Sequence, residues 1–283
     1  MKIDKKFLKT WVLPPRIFSS LTDARSNLKR RFLRNDNKIL LQQNAQIKNR
    51  HVGSRCFILG AGSSIAKQDL KKLDGEFVIS VSNTFVHKDF AIIKPKYHVL
   101  PNIIRGHGTL YPQEDFVMWL LEMEQKTLDA EMFFHIGDRD MIESNGLFKG
   151  RVIHWNEYGS NWNGDLSYPI DLSNVPSIGS VSEYAITVAL YLGFDKIYLI
   201  GIDHDWFNGP MVYFYNHKTE HAMKPTADKL KFADAEFQMR RHADIFLKYK
   251  YMYGIKKNIF NANSDPNHYM DVFPKVNFDS LFL

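Results

Sequence analysis

The chain has 283 residues, of which 45% are hydrophobic and 24% are charged, a composition typical of globular proteins. This composition excludes collagen-like and wholly disordered proteins, and the single cysteine, Cys56, excludes a disulfide-rich fold and indicates a reducing compartment. The net charge of +6 would by itself suggest nucleic acid or an anionic membrane as a partner.

The positive charge is concentrated near the N-terminus. Residues 1–50 hold 13 of the 37 Lys and Arg residues and 3 of the 31 acidic residues, a net charge of +10, so residues 51–283 have a net charge of −4. A mildly acidic body is not expected to bind nucleic acid. We therefore divide the chain into a basic N-terminal arm, residues 1–50, and a body, residues 51–283.

The arm has the pattern of a basic amphipathic helix. Apolar residues recur there every three or four positions, at Ile17, Leu21, Ala24, Leu28 and Phe32. Such a helix can lie on a membrane surface, or it can pack on the body or on a second copy of the chain. We find neither a signal peptide nor a run of about 18 apolar residues, so we expect a cytoplasmic protein, with peripheral contact to the inner membrane through the arm as one alternative.

The body alternates short apolar runs with helical patterns. The runs indicate strands over residues 55–59, 77–81, 97–100, 131–136, 151–155, 196–202 and 257–262. Helical spacing predicts helices over residues 65–73, 116–130, 181–192 and 227–253. This alternation predicts a Rossmann-like α/β fold with a doubly wound, mostly parallel sheet. Polar, aromatic residues near 204–226 are typical of a lid or substrate loop, and the tail to Leu283 is expected to be a loop.

A glycine-rich turn, Gly60-Ala61-Gly62-Ser63-Ser64, follows the first predicted strand. Glycines allow a ligand to approach the backbone closely, and amides at the start of a helix attract anions, so this turn can hold a phosphate. It lacks the Gly-Lys-Ser/Thr of a P-loop, and Ile65 stands where the GxGxxG fingerprint requires its third glycine. The alternative is a purely structural strand-to-helix turn.

Polar side chains follow other predicted strands at the same edge of the sheet. Ligands of open α/β sheets bind beyond the carboxyl ends of the strands, where Asn83, Asn102 and Asp203 are expected. The asparagines can bind a sugar or a phosphate, or they can cap local turns. Asp203 can bind a ribose, cap a helix or, together with Asp205, ligate a divalent metal.

Two histidines, His217 and His221, lie in the predicted lid. Their spacing would place both on one helical face as a zinc pair, but the surrounding sequence is not clearly helical and no third Cys or His lies nearby. A general base that works near neutral pH is the second interpretation, and two solvated loop histidines are the third.

Two segments together resemble a known family. Residues 55–64 are similar to the strand and GxGPS turn that open a Rossmann-like family related to 6-hydroxymethylpterin diphosphokinase, with Ser63 in place of the proline. Residues 182–203 resemble the second hallmark of that family, whose members are associated with bacterial surface-polysaccharide synthesis. The same layout is similar to the bacterial CMP-sialic acid-dependent sialyltransferases. The resemblance covers about residues 50–265.

The resemblance implies a donor site and a catalytic set. Tyr213 and Tyr215 would assist departure of the phosphate, although Asp205 occupies one of the matching tyrosine positions, and His217 or His221 would be the general base. Gly179 and Ser180 stand in the reverse of the family's order, and Asp203 is added from its place in the sheet. The predicted donor-binding residues are Gly60, Ala61, Gly62, Ser63, Ser64, Asn83, Asn102, Gly179, Ser180 and Asp203.

The resemblance therefore implies a glycosyltransferase of capsule, O-antigen or lipooligosaccharide synthesis. It would transfer a CMP-linked, sialic-acid-like sugar to a glycan or glycolipid, without a metal or another cofactor. One alternative is an ATP-dependent diphosphokinase, which would need Mg²⁺ on Asp203 and Asp205. Another is a non-enzymatic scaffold docked on a membrane. A homo-oligomer is compatible with each of these functions.

Overall fold

A seven-stranded parallel sheet forms the centre of the protein. The computed structural model describes residues 24, 28, 32–103, 113–159, 170–176, 178–204, 213–215, 235–263 and 270–283, with the backbone alone for residues 235–238 and 240. Within these residues the strand order is β5-β4-β3-β2-β1-β6-β7, and all neighbours are parallel, which confirms the predicted Rossmann-like α/β class. The strands are β1 Arg55–Leu59, β2 Val78–Val81, β3 Tyr97–Val99, β4 Glu131–His135, β5 Ile153–Asn156, β6 Lys196–Ile200 and β7 Ile259–Asn261.

The order of the strands creates one crevice at the edge of the sheet. The chain adds β2 to β5 on one side of β1 and then returns to place β6 and β7 on the other side. The chain after β1 therefore continues to one side of the sheet and the chain after β6 to the other, and such a switch point is where open α/β sheets bind ligands. Because Leu59 is aligned with Ile200, the two loops leave the sheet side by side.

Both faces of the sheet are buried. Along β1, Cys56 and Ile58 belong to one hydrophobic cluster, whereas Phe57 and Leu59 belong to another on the opposite face. Side chains alternate in direction along a strand, so this apolar run contributes to two cores at once.

Helices cover the sheet. The predicted helices 116–130, 181–192 and 227–253 correspond to the third, fifth and sixth helices with shifted ends, and residues 227–234 lie outside the described residues. The helices are α1 Asn35–Gln43, α2 Phe90–Ile93, α3 Gln113–Lys126, α4 Arg139–Ser144, α5 Val181–Tyr191 and α6 Ala235–Ile255. Among the described helices, none combines the length and the apolar composition that a membrane crossing requires.

The predicted helix over residues 65–73 is wrong. Two short 3-10 helices, Ser63–Lys67 and Leu70–Leu73, take its place, separated by Gln68 in an extended conformation. The side-chain amide of Gln68 donates to the carbonyl oxygen of Ala262 at 2.7 Å, and the carboxylate of Asp69 accepts from the N–H of Lys71. These side-chain hydrogen bonds compete with a continuous helix.

Residues 41–51 and the C-terminal tail pack on the sheet. Asn44, just after α1, donates to the carbonyl oxygen of Trp155 at 2.6 Å. His51 is buried, with its ring stacked on Phe194. In the tail, predicted to be a loop, the 3-10 helix Asp279–Phe282 places the ring of its last residue on Phe57. The division of the chain at residue 50 stays a prediction.

Candidate functional site

Asp203 joins the loop after β6 to the glycine-rich turn after β1. Its carboxylate accepts hydrogen bonds from the backbone N–H of Ser64, at 3.0 Å, and from the Ser64 hydroxyl, at 2.6 Å. A Cβ atom at Gly62 would overlap this carboxylate, and one at Gly60 would overlap the carbonyl oxygen of Gly201. The glycines are therefore needed for the close approach of the two loops, which supports the structural interpretation of the turn.

Three backbone N–H groups of the turn, those of Gly60, Gly62 and Ser64, have acceptors within the protein. The N–H groups of Gly60 and Gly62 donate to the carbonyl oxygens of Ile200 and Gly201, at 2.7 and 2.8 Å. The turn also continues into a 3-10 helix, so it lacks the dipole of a longer α-helix. A phosphate at this turn would have to compete with Asp203, and other groups would have to supply most of its contacts.

Two predicted catalytic residues, Tyr213 and Tyr215, come from a segment that lies on this turn. Tyr213 forms an antiparallel bridge with Gly62, and the N–H of Phe214 donates to the carbonyl oxygen of Ala61 at 3.3 Å. The two tyrosine rings stack, with centroids 5.1 Å apart and planes inclined by 18°. The structure thus brings together residues that are far apart in the chain.

Asn83 holds the hydroxyl of Tyr215. Its Nδ2 donates to the phenol oxygen of Tyr215 at 2.9 Å, and its Oδ1 accepts from Trp119 Nε1 at 2.6 Å. Because the phenol oxygen is an acceptor in this pair, its proton is directed to a different acceptor. Burial raises the pKa of Tyr215, and the neighbouring Tyr213 adds to this rise while the hydrogen bond from Asn83 opposes it. Tyr215 is therefore a neutral hydrogen-bond donor at physiological pH.

Two non-glycine residues at this edge have a left-handed backbone. Ser82, directly after β2, has a φ of 46°, and His204, directly after Asp203, has a φ of 49°. Such conformations cost about 1–3 kcal/mol each and are concentrated at functional sites. Ser82 directly precedes Asn83 and His204 directly follows Asp203, so both candidate residues adjoin a strained backbone position.

Gly179 and Ser180 form the start of α5. The side chain of Ser180 caps this helix, and Glu183 Oε2 accepts from the N–H groups of Gly179 and Ser180, each at 2.6 Å. Burial raises the pKa of Glu183, while Lys248, 3.4 Å away, and the two N–H donors oppose that rise. The backbone N–H groups of Gly179 and Ser180, two of the residues predicted to form the donor site, thus already bind a carboxylate.

Asn102 belongs to a second polar cluster, on the β3–β5 side of the same edge. Its Nδ2 donates to His135 Nδ1, which also accepts from the N–H of Gly137 at 2.9 Å. A backbone N–H can only donate, so Nδ1 carries no proton and the ring proton is on Nε2, 3.6 Å from Glu157. The backbone N–H of Asn102 donates to the Tyr158 hydroxyl at 2.8 Å.

The remaining predicted site residues contribute little that can be described. Ala61 and Ser63 lie in the glycine-rich turn, with the Ala61 carbonyl oxygen accepting from Phe214. His217, His221 and Asp205 lie outside the described residues. Their assignment as base or metal ligand stays a prediction.

Comparisons with known proteins give a likeness of fold. No protein-family model and no curated protein matches the chain. The sialyltransferase CstII from Campylobacter jejuni, solved with the substrate analogue cytidine-5'-monophosphate, is similar with a TM-score of 0.42 and 13% identity, over 80% of this chain and 85% of that one. A structure of the sialyltransferase CST-II with a trisaccharide acceptor and CMP is similar with a TM-score of 0.45 and 14% identity, over 78% and 85% of the two chains.

The described residues do not form a metal centre. Among them, no group of three or more His, Cys, Asp or Glu side chains is placed to hold a metal ion. The Mg²⁺ of the diphosphokinase alternative would need Asp203, whose two carboxylate oxygens accept hydrogen bonds from Ser64. Asp203 fits a structural acceptor better than it fits a metal ligand.

The sequence interpretation missed two residues of this site. Glu183 had a visible signal, because Ser180 and Glu183 have the spacing of a capping box. Trp119 had none, because an aromatic residue inside a helical pattern is expected in the core. Its contact with Asn83 appears only when α3 packs beside the residues that follow β2.

Proposed function

We propose that this protein is a glycosyltransferase that binds a nucleotide-activated sugar at the crevice between β1 and β6. The observation that carries the proposal is the convergence of Asn83 and the stacked Tyr213 and Tyr215 on the turn at Gly60–Gly62. This places a buried, neutral phenol donor at the edge of the sheet where ligands bind. The sequence resemblance adds the donor class, a CMP-linked, sialic-acid-like sugar.

The proposed reaction is a direct displacement at the anomeric carbon. A histidine, His217 or His221, takes the proton of an acceptor hydroxyl as its oxygen attacks the anomeric carbon. The bond between that carbon and the phosphate oxygen breaks, and CMP leaves with the electron pair. Tyr215 donates a hydrogen bond to the departing phosphate, and Asn83 holds the phenol in place. No step requires a metal ion.

The acceptor would be a glycan or glycolipid of a bacterial surface polysaccharide. We propose that the arm, residues 1–50, brings the enzyme to the membrane that carries this acceptor. Two residues of its apolar pattern, Leu28 and Phe32, have side chains exposed by 54% and 80%. Exposed apolar side chains beside basic ones are typical of helices that lie at a membrane surface.

The test is a thermal-shift screen of CMP, CDP, UDP, GDP and ATP, each with and without Mg²⁺. We expect CMP to raise the unfolding temperature without Mg²⁺, because a ligand of the native state stabilises it. Asn83→Ala should weaken CMP binding by about tenfold, since it removes a partly buried hydrogen bond that positions Tyr215. The control is Asn258→Ala, at an exposed position before β7.

Other outcomes of the screen would overturn the proposal. If ATP raises the unfolding temperature only in the presence of Mg²⁺, the result would favour the diphosphokinase. A lack of response to every nucleotide would favour the scaffold.

A further inference from the structure

A chain of hydrogen-bonded side chains leads from the protein interior to the candidate donor site. We propose that His204, Tyr249 and Ser182 are positioning residues that set the hydroxyl of Ser180 to donate a hydrogen bond to an acceptor oxygen of the nucleotide-sugar donor. We name these four residues the hydroxyl relay. The inference rests on the proposed function for its ligand, but the relay itself rests on the geometry.

The members of the relay are in continuous contact. Ser180 Oγ lies 2.7 Å from Ser182 Oγ, which lies 2.6 Å from the hydroxyl of Tyr249. That hydroxyl lies 2.7 Å from His204 Nε2, which also has a longer contact of 3.3 Å with Ser182 Oγ. Ser182, Tyr249 and His204 are buried, whereas Ser180 is partly exposed, so the relay has one end at the surface. It connects α5, α6 and the loop after β6.

Ser180 can contact a ligand mainly through its hydroxyl. Its backbone N–H and that of Gly179 donate to Glu183, so the two amides of this turn are engaged. The hydroxyl oxygen of Ser180 also accepts from the backbone N–H of Ser182 at 3.4 Å. What remains variable is the direction of the hydroxyl proton, and the relay determines that direction.

The tautomer of His204 sets the direction of every hydrogen bond in the relay. Burial lowers the pKa of His204 to about 3, and the neighbouring His242 and Arg241 also disfavour its cation, so the ring is neutral at physiological pH. With the proton on Nε2, each member donates towards Ser180, whose own proton then points away from the relay. With the proton on Nδ1, each hydrogen bond reverses, and Ser180 donates inwards.

A ligand oxygen near Ser180 would favour the first of these two states. The oxygen of Ser180 then accepts from both the hydroxyl and the N–H of Ser182, and its proton goes to the ligand. The relay also connects the start of α5 to the glycine-rich turn. The link is His204, which directly follows Asp203, the residue that binds this turn. The proposed donor site therefore includes the Ser180 hydroxyl, whose proton direction depends on the buried His204.

The first test is Tyr249→Phe, which removes one oxygen and keeps the ring that packs against Phe273. We expect CMP binding, measured by calorimetry, to weaken by about five- to tenfold, because Ser180 loses the hydrogen bonds that orient it. The matched control is Tyr253→Phe, on the same helix and packed against the same Phe273, which should bind CMP as the wild type does. Should Tyr249→Phe fail to fold, Ser182→Ala cuts the relay at the next link.

A double-variant cycle shows whether the effect passes through Ser180. In a Ser180→Ala background, Tyr249→Phe should weaken CMP binding no further, since the group that it positions is absent. Equal losses in the two backgrounds, or no loss from Tyr249→Phe alone, would overturn the proposal. The same measurements with cytidine in place of CMP locate the acceptor oxygen. If Tyr249→Phe weakens the binding of CMP alone, the oxygen belongs to the phosphate; if it weakens the binding of both, the oxygen belongs to the nucleoside. Either result supports the relay.

A ligand-independent measurement separates the relay from the proposed function. We expect Ser180→Ala to shift the ring nitrogen resonances of His204, assigned by their absence in His204→Gln, although Ser180 does not contact His204 and Ser182 and Tyr249 lie between them. Unchanged resonances would show that no relay exists. If the wild type binds no nucleotide, the proposed function fails together with the ligand half of this inference, and the His204 spectrum still decides the relay.

Discussion

The carboxylate of Asp203 takes both hydrogen-bond donors of Ser64, its backbone N–H at 3.0 Å and its hydroxyl at 2.6 Å. This pair ties the end of β6 to the turn after β1, at the switch point of the sheet. An internal carboxylate thus occupies the position where the sequence predicted a ligand phosphate. The phosphate of a donor nucleotide is then expected to depend more on the tyrosines than on this turn.

We expect Asp203→Asn to destabilise the protein. The amide can accept from one donor of Ser64 but presents its own NH₂ to the other, so a buried donor loses its partner. The expected loss in the free energy of unfolding is about 1–3 kcal/mol, measured by urea denaturation. Asp271→Asn is the control, since that carboxylate is 82% exposed and pairs only with Lys275 among the described residues. A loss no larger than that of the control would contradict the structural role of Asp203.

We expect stability to fall on mild acidification because of two buried histidines, His98 and His204. Burial lowers the pKa of each to about 3 in the folded protein. Unfolded histidine has a pKa of about 6.5, so the unfolded state binds protons first. The stabilisation is complete above pH 6.5 and is lost as the pH falls towards 3, by up to about 1.4 kcal/mol per pH unit for each histidine.

Urea denaturation at pH 7, 6 and 5 measures how steeply the unfolding free energy falls with pH. In His98→Asn, the side-chain amide can keep a hydrogen bond with Ser80 Oγ, which lies 2.7 Å from His98 Nδ1. In that variant, the unfolding free energy should fall less steeply with decreasing pH, because about one proton fewer is taken up on unfolding. An equal slope in variant and wild type would show that His98 does not titrate as a neutral buried group.

We expect Glu131 to stabilise the protein in a lower pH range. Burial would raise its pKa, but hydrogen bonds with His154, Lys96 and Arg50 lower the pKa from 4.5 to about 2. Its partners are Arg50 at 2.9 Å, Lys96 at 3.1 Å and His154 at 2.7 Å. A carboxylate with a lowered pKa stabilises the fold above its unfolded pKa, and this contribution is lost as the pH falls from 4.5 to 2.

The check is the difference in unfolding free energy between the wild type and Glu131→Gln at several pH values. We expect a difference on the order of 2–3 kcal/mol above pH 5 that shrinks towards pH 2. Glu143→Gln is the control, because that side chain is 53% exposed and pairs with Arg139 at the surface. A difference that does not change with pH would refute the assignment.

We expect Tyr215→Phe to impair the proposed transfer reaction at the chemical step. The variant keeps the ring that stacks on Tyr213 and removes the phenol that would donate to the departing phosphate. The expected loss in kcat is about 100-fold, with a smaller change in KM for the nucleotide sugar. Tyr253→Phe serves again as the control. A kcat equal to that of the wild type would exclude Tyr215 from the leaving-group step.

We expect the arm to be needed for membrane binding. Because α1 and the residues after it pack on the sheet, the deletion should remove residues 1–31 and keep residue 32 onwards. The truncated protein should lose binding to anionic phosphatidylglycerol vesicles, and its unfolding temperature should not change. In the full chain, Arg30→Glu with Arg31→Glu should weaken binding in the same direction. Vesicle binding by the truncated protein would refute the role of the arm.

The sequence predicted the fold well where the physical signal was local. Short apolar runs bounded by glycine and polar residues marked each strand, because a parallel strand is buried on both faces. The helix over residues 65–73 was wrong because apolar spacing does not reveal side-chain hydrogen bonds such as that from Gln68 to Ala262. The rule that strand ends meet at one edge predicted the placement of Asn83 beside the glycine-rich turn. Tyr213 and Tyr215 became candidates through the family resemblance, and only the structure shows their contact with that turn.

By itself, the sequence determined the layout: a basic N-terminal segment, an alternating α/β body, and polar residues after the strands. The tertiary structure decided what those residues do to one another. Asp203 binds Ser64, Glu183 binds the turn before α5, and Tyr249 connects Ser182 to His204. The physical reason is that hydrogen bonding depends on distance and direction between groups remote in the chain, which hydrophobic periodicity does not encode. A polar residue at a strand end is thus a candidate from the sequence, and its partner becomes visible only in the fold.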